Sequence, residues 1–157
     1  MLTIDIPGRP SLSLAYVVLD VNGTITVDGA ISDEVAERIR ELGRNLKVWL
    51  LTADTFGTAK ELARRLGVEA IVLEPGGREQ EQKAEFVRGL GPGGCVAIGN
   101  GANDTSMLEA ADLGIAVLGR EGLCPELLTR ADLVVTSPED ALDLLLFPRR
   151  LVATLRK

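Results

Sequence analysis

The chain has 157 residues, 46 % hydrophobic and 25 % charged, the make-up of one ordinary globular domain. A net charge of −6 and 3 % aromatic residues exclude a nucleic-acid footprint, an anionic-membrane surface and base-stacking platforms. Histidine is absent, so any catalysis rests on carboxylates, lysine, hydroxyls, amides or a hard metal ion bound through oxygen.

In chain order, residues 2–6 alternate and stop at Pro7-Gly8, which predicts an edge strand. Apolar strand-like runs follow at residues 15–19, 47–51, 70–73, 95–98, 114–117 and 133–135. Helical patterns lie between them. Residues 32–42 start at an N-cap serine, residues 55–66 stop at Gly67, and residues 80–90 stop at Gly91-Pro92. Segments 103–111 and 125–131 also read as helices, and the tail 138–156 as helix broken at Pro148. Asp28-Gly29 predicts a small turn ending a short flap. Strands alternating with helices, each strand a continuous apolar run, predict an α/β fold. Its expected form is a three-layer α/β/α sandwich with a mostly parallel sheet and no cap domain.

No apolar stretch approaches the length that spans a bilayer. The opening MLTIDIPGRP has acid and prolines where a signal peptide needs a basic start and an apolar body, so a cytoplasmic location is expected. Cys95 and Cys124 make no metal or disulfide pattern and read as small packing residues.

The first long run delivers the chain to Asp20-Val21-Asn22-Gly23-Thr24. Asn-Gly between apolar runs is a strong hairpin signal, on which Asp20 is only a strand end. The other reading is a carboxylate presented to a phosphate at the carboxyl edge of a parallel sheet, where ligands bind in such folds. The same edge receives Thr52-Ala53-Asp54 and Gly99-Asn100-Gly101-Ala102-Asn103-Asp104, and Lys83 precedes the latter. An aspartate can attack phosphorus if Mg²⁺, lysine and backbone N–H groups neutralise the transferring group. Asp20 is the candidate nucleophile. Gly23 lets the backbone approach a phosphate, and Thr52, Ala53 and Lys83 are the candidate phosphate binders. Asp20, Asn22, Asn100 and Asp104 are the candidate Mg²⁺ ligands, with Thr24 and Asn103 supporting. Asp54 reads as a helix cap, and Asp28 and Asp112 as structural.

These motifs, in this order, resemble the haloacid dehalogenase superfamily, and within it the phosphorylation domain of P-type ATPases, from about Tyr16 to Asp140. Asp20-Val21-Asn22-Gly23-Thr24 is similar to the motif of the nucleophile. Leu51-Thr52-Ala53-Asp54 is similar to the ATPase segment around Thr-Gly-Asp, and Lys83 to the motif lysine. The glycine–asparagine stretch resembles Gly-Asp-Gly-x-Asn-Asp, and Ala111–Ala116 and Ala131–Val134 continue the match. The resemblance implies a Mg²⁺-dependent phosphohydrolase working through an aspartyl-phosphate on Asp20.

Two positions depart from that pattern. Asn22 stands where the phosphatases carry a second aspartate that acts as acid and base, and an amide does not titrate. Slow turnover is therefore expected. Asn100 stands where a carboxylate usually contacts Mg²⁺, so metal affinity should fall. About a dozen residues separate Asp20 from the helix at Ser32, which leaves no room for the ATPases' nucleotide-binding insertion. An ion pump is not expected. The open site suits a phosphorylated small molecule or a phosphoprotein, unless a neighbour in a homo-oligomer covers it. The alternative is a catalytically silent phosphate-binding or regulatory module on the same fold. Both substituted asparagines precede glycine, the context most prone to deamidation.

Overall fold

The computed structural model describes residues 1–54 and 57–157. Its strands are β1 (Leu2–Ile4), β2 (Leu12–Asp20), β3 (Lys47–Thr52), β4 (Glu69–Val72), β5 (Gly94–Gly99), β6 (Leu113–Val117) and β7 (Leu133–Val135). Its helices are α1 (Asp33–Leu42), α2 (Ala59–Leu66), α3 (Glu79–Arg88), α4 (Thr105–Ala110), α5 (Pro138–Leu146) and α6 (Pro148–Leu155). The sheet runs β4-β3-β2-β5-β6-β7. Every pairing along that path is parallel, and β1 joins β2 antiparallel, Leu2 facing Leu14.

The period of two along each strand sorts side chains between two cores. Val17, Leu19, Val48, Leu50, Val96, Ile98, Ile115 and Val117 pack with residues of α1, α2, α5 and α6. Val18, Leu51, Ala97 and Ala116 face the other way, toward α3, α4 and Leu127. Buried on both faces, the strands need the apolar runs seen in the sequence. This is the expected three-layer arrangement. Asp20 continues the even-numbered face of β2 and so points to the α3 and α4 side.

The helix ends have local causes. Ser32 caps α1 by accepting from the Val35 N–H at 3.2 Å. α2 stops where Gly67 turns left-handed at φ +71°. The helix expected from Thr55 begins at Ala59 among the described residues, and Thr55 itself lies outside them. The helix expected at 125–131 is a 3-10 segment, Pro125–Thr129. It is too short to profit from α-helical bonding, and the Leu127 N–H donates to the Cys124 carbonyl. Segment 103–111 divides into a 3-10 turn, Ala102–Asp104, and α4. The tail breaks at Phe147-Pro148, as expected.

One partly exposed ionic junction, centred on the buried Asp143, ties α1, α5 and α6 together. The Asp143 carboxylate on α5 accepts from Arg38 Nε of α1 at 2.8 Å and from Arg150 of α6 at 3.3 Å. No helix among the described residues is long and apolar enough to cross a membrane.

Candidate active site

Parallel pairing aligns the carboxyl ends of β2, β3 and β5, with Asp20 opposite Leu51 and Leu19 opposite Ile98. That register gathers Asp20, Thr52 and Gly99 on one edge. Asn22-Gly23 is not a hairpin turn there. The chain coils around the Val21 carbonyl, which accepts from the N–H groups of Thr24, Ile25 and Thr26 at 3.1–3.2 Å. The hairpin comes later, at Asp28-Gly29. Both have positive φ, 51° and 78°, and Val27 and Ala30 exchange two backbone bonds of 2.9 Å. The flap expected after the first long strand is thus present, with its turn at the expected dipeptide.

Asp20 is buried and fully engaged. Its Oδ1 accepts from Lys83 Nζ at 2.6 Å and its Oδ2 from the Thr24 hydroxyl at 2.7 Å. Lys83 sits mid-way along α3 and is 1 % exposed. Its ammonium also donates to Asp104 Oδ1 at 2.6 Å and to Asn103 Oδ1 at 3.4 Å, so all three hydrogens are used. Two carboxylates and one ammonium leave this buried group a net charge of −1. Burial, and then the Asp104 charge, push the Asp20 carboxyl up to about 6, although Lys83 and Thr24 pull the other way. Burial alone would lower the Lys83 pKa, but Asp20 and Asp104 outweigh it and raise it. The ammonium therefore stays charged at neutral pH.

Because the folded carboxyl binds its proton more tightly than an unfolded one, stability falls as pH rises from about 4 to about 6. Above that window the ionised group costs about 2–3 kcal/mol. Asp20→Asn removes the surplus charge, and the hydrogen bonds can be remade. The amide oxygen faces Lys83, its NH₂ faces the Thr24 oxygen, and the Thr24 hydroxyl turns to Asn100 Oδ1, already 3.0 Å away. The variant should melt higher than the wild type at pH 8, with the gain vanishing toward pH 4. Melting curves across that range check this.

The loop after β5 is built around Asp104. Its Oδ2 accepts from the backbone N–H groups of Asn100 at 3.0 Å and Gly101 at 2.9 Å. Position 99 must be glycine, since a Cβ there would lie 2.5 Å from the Asp104 carboxyl carbon. Asp104 thus organises the loop and holds Lys83, and its Oδ1, which accepts only from Lys83, keeps acceptor capacity. Asn100 Oδ1 lies 3.0 Å from the same Thr24 hydroxyl that bonds Asp20. That hydroxyl has one hydrogen, which the shorter contact assigns to Asp20, so the Asn100 oxygen keeps its lone pairs. Asp20 Oδ2 at the end of β2 and Asn100 Oδ1 just past β5 thus both lie within 3.0 Å of the Thr24 hydroxyl, and Asn22, two residues after Asp20, is half-buried. Oxygen-only donors with one carboxylate fit Mg²⁺ that retains several waters. No cluster of three or more acidic, cysteine or histidine side chains suited to a metal occurs among the described residues.

Thr52 is buried at the end of β3, and its oxygen accepts from the Asp54 N–H at 3.0 Å. Ala53 follows it, exposed. Asp54 does cap the next helix, from farther back than expected, accepting from the N–H groups of Thr58 at 2.8 Å and Ala59 at 2.9 Å. Asp112 is structural, as its Oδ2 accepts from the Cys95 N–H. Burial, then Asp112, push the Cys95 thiol up to about 12, so it is inert.

The sequence reading missed one contributor, the loop at Gly119–Gly122. The Gly122 carbonyl accepts from Asn100 Nδ2 at 3.1 Å, and Glu121 accepts from the Asp28 N–H at the flap tip at 3.2 Å. The two glycines around Arg120-Glu121 were the available signal. A cavity of about 630 Å³ opens between this loop, the flap and the starts of α1 and α5. It borders Gly23 and Thr24 and does not include Asp20.

A family model of haloacid dehalogenase-like hydrolases matches residues 9–112, two thirds of the chain, and a second such model matches residues 87–141. The chain belongs to the haloacid dehalogenase-like hydrolases. Copper-transporting ATPase 2 of Rhizobium meliloti is 39 % identical over 122 residues, 72 % of this chain and 14 % of that protein. The chain spans only 10–14 % of the length of the copper ATPases it matches. Among solved structures, the 3-deoxy-D-manno-octulosonate 8-phosphate phosphatase of Moraxella catarrhalis, crystallised with magnesium, phosphate and its sugar, superposes with a TM-score of 0.71. It is 17 % identical, over 91 % of this chain and 94 % of that one. The catalytic domain of the CPx-ATPase CopB-B superposes at 0.61, 23 % identical, over 74 % of this chain and 46 % of that one. The haloacid dehalogenase-like fold thus places the β2, β3 and β5 ends, with Lys83, on a common edge, and the two asparagines fall within this constellation.

Proposed function

We infer that the chain is a Mg²⁺-dependent phosphohydrolase that takes a phosphoryl group onto Asp20 and releases it slowly. The observation that carries this reading is the buried Asp20–Lys83–Asp104 group at the strand edge. A sheet has no structural need for two carboxylates and a lysine in its interior, and perturbed titratable groups of this kind mark functional sites.

In this reading Asp20 is the nucleophile. Lys83 holds its carboxylate ionised and oriented, and passes one or more of its N–H donors to the phosphoryl oxygens as they arrive. Thr52 donates its hydroxyl, and Ala53 and Gly23 allow backbone approach. Asn103 helps seat the ammonium. Asp20, Asn100 Oδ1, the Asn22 backbone carbonyl and Asp104, which also organises the loop, would hold Mg²⁺. The bound ion would neutralise charge on the phosphoryl oxygens. Proton transfer is the weak step, because Asn22 neither protonates the leaving group nor activates water. Phosphorylated small molecules and phosphoproteins are the proposed substrates, a homo-oligomer would cover the open edge, and the cytoplasm is the proposed location.

The same asparagine favours a second reading, a module that binds phosphate without turnover. Beryllium fluoride mimics a phosphoryl group on an aspartate. With Mg²⁺ it should raise the melting temperature of the wild type and not that of Asp20→Asn. A response in both proteins would mean phosphate binding that does not use Asp20, and a response in neither would remove the phosphate site altogether.

A further inference from the structure

We propose that Asn22 is a site of spontaneous deamidation, that Asn100 is protected from it by the fold, and that the reaction supplies the missing acid of the site. The last clause rests on the function proposed above, whereas the first two stand on geometry alone.

The chain has an Asn-Gly pair at each of two places on the catalytic edge. In the reaction the backbone nitrogen of the glycine attacks the asparagine Cγ. A C–N bond forms, ammonia leaves, and a five-membered succinimide remains. Water opens the ring at either carbonyl, giving aspartate or isoaspartate. The net change is one amide plus water to one carboxylic acid plus ammonia, with no oxidant or cofactor. Both the glycine nitrogen and the asparagine side chain must be free to meet.

At Asn100 neither is free. The Gly101 N–H is held by the Asp104 carboxylate at 2.9 Å, Asn100 Nδ2 donates to the Gly122 carbonyl, and Asn100 Oδ1 faces Thr24. At Asn22 the side chain has no hydrogen-bond partner among the described residues and is half-buried, within reach of water. Its backbone joins an isolated parallel bridge to Thr26, which sets the Gly23 N–H toward the Thr26 carbonyl, a neutral acceptor rather than the carboxylate that holds Gly101. The glycine cannot be exchanged to suppress the reaction. Gly23 adopts φ +79°, and a Cβ there would lie 2.8 Å from Asn100 Nδ2. The close approach that builds the site therefore fixes the reactive dipeptide in it.

Freeing Gly101 from a charge-assisted hydrogen bond should slow reaction at Asn100 by about 10- to 100-fold relative to Asn22. Peptide mapping of the full chain, fresh and after incubation at mildly alkaline pH, reads both positions at once. The same incubation in urea exposes both pairs equally and should convert them at similar rates. Conversion in the folded protein confined to Asn22 is the expected result. Equal conversion at Asn100, or none at Asn22 while the urea sample converts, would overturn the proposal. Phosphatase activity should rise in step with the aspartate fraction at position 22 and stay flat in Asn22→Gln, whose longer side chain closes the ring far more slowly. Conversion at Asn22 without any gain in activity would leave the modification standing and sink the reading of position 22 as the acid.

Discussion

Lys83→Met should destabilise the fold by about 3–5 kcal/mol, because it leaves the buried Asp20 and Asp104 carboxylates facing each other without a countercharge. Methionine has nearly the volume of the lysine stem, so the loss reports charge rather than a cavity. Against a stability of roughly 5–15 kcal/mol for a domain of this kind, much of the folding free energy is at stake. Urea denaturation checks it. The double variant with Asp20→Asn should recover part of the loss, since only Asp104 is then left to protonate, and this coupling identifies the ionic group as the cause. A loss below about 1 kcal/mol would mean that the carboxylates are already protonated or hydrated in the folded protein.

Asn22→Asp should raise the steady-state hydrolysis of a simple aryl phosphate by about 10²–10⁴-fold, the usual contribution of a positioned general acid–base. The position follows Asp20 by two residues, on the coil around the Val21 carbonyl, and its side chain is uncommitted among the described residues. A carboxyl there needs no other group to move. The change should appear in kcat rather than KM, because the acid acts in the transition state. Unchanged kcat would mean that proton transfer does not limit turnover.

Much of this molecule was legible before its coordinates. The strand order of chemistry, acid then hydroxyl then glycine–asparagine loop, sat at the ends of apolar runs, and parallel sheets put such ends on one edge. The flap was legible because Asp28-Gly29 is a strong turn dipeptide, whereas Asn22-Gly23 raised a false turn signal. Its glycine answers the approach of Asn100, a residue 77 positions on, and no local rule contains that contact. The bond between Asp104 and Lys83, 21 positions earlier in the chain, likewise lay beyond any local rule. The loop at Gly119–Gly122 was missed because its contribution is a backbone carbonyl, which any residue carries. The short segment at Pro125–Thr129 has helical composition and too few residues to form an α-helix.

The central claim is that Asp20 accepts a phosphoryl group. Intact-protein mass spectrometry after incubation with acetyl phosphate and Mg²⁺, beside Asp20→Asn, tests it most directly. An adduct of one phosphoryl group that requires both Mg²⁺ and Asp20, and that decays slowly once acetyl phosphate is removed, is the result predicted here. An adduct that persists in Asp20→Asn, or no adduct under conditions where beryllium fluoride and Mg²⁺ stabilise the wild type, would contradict it.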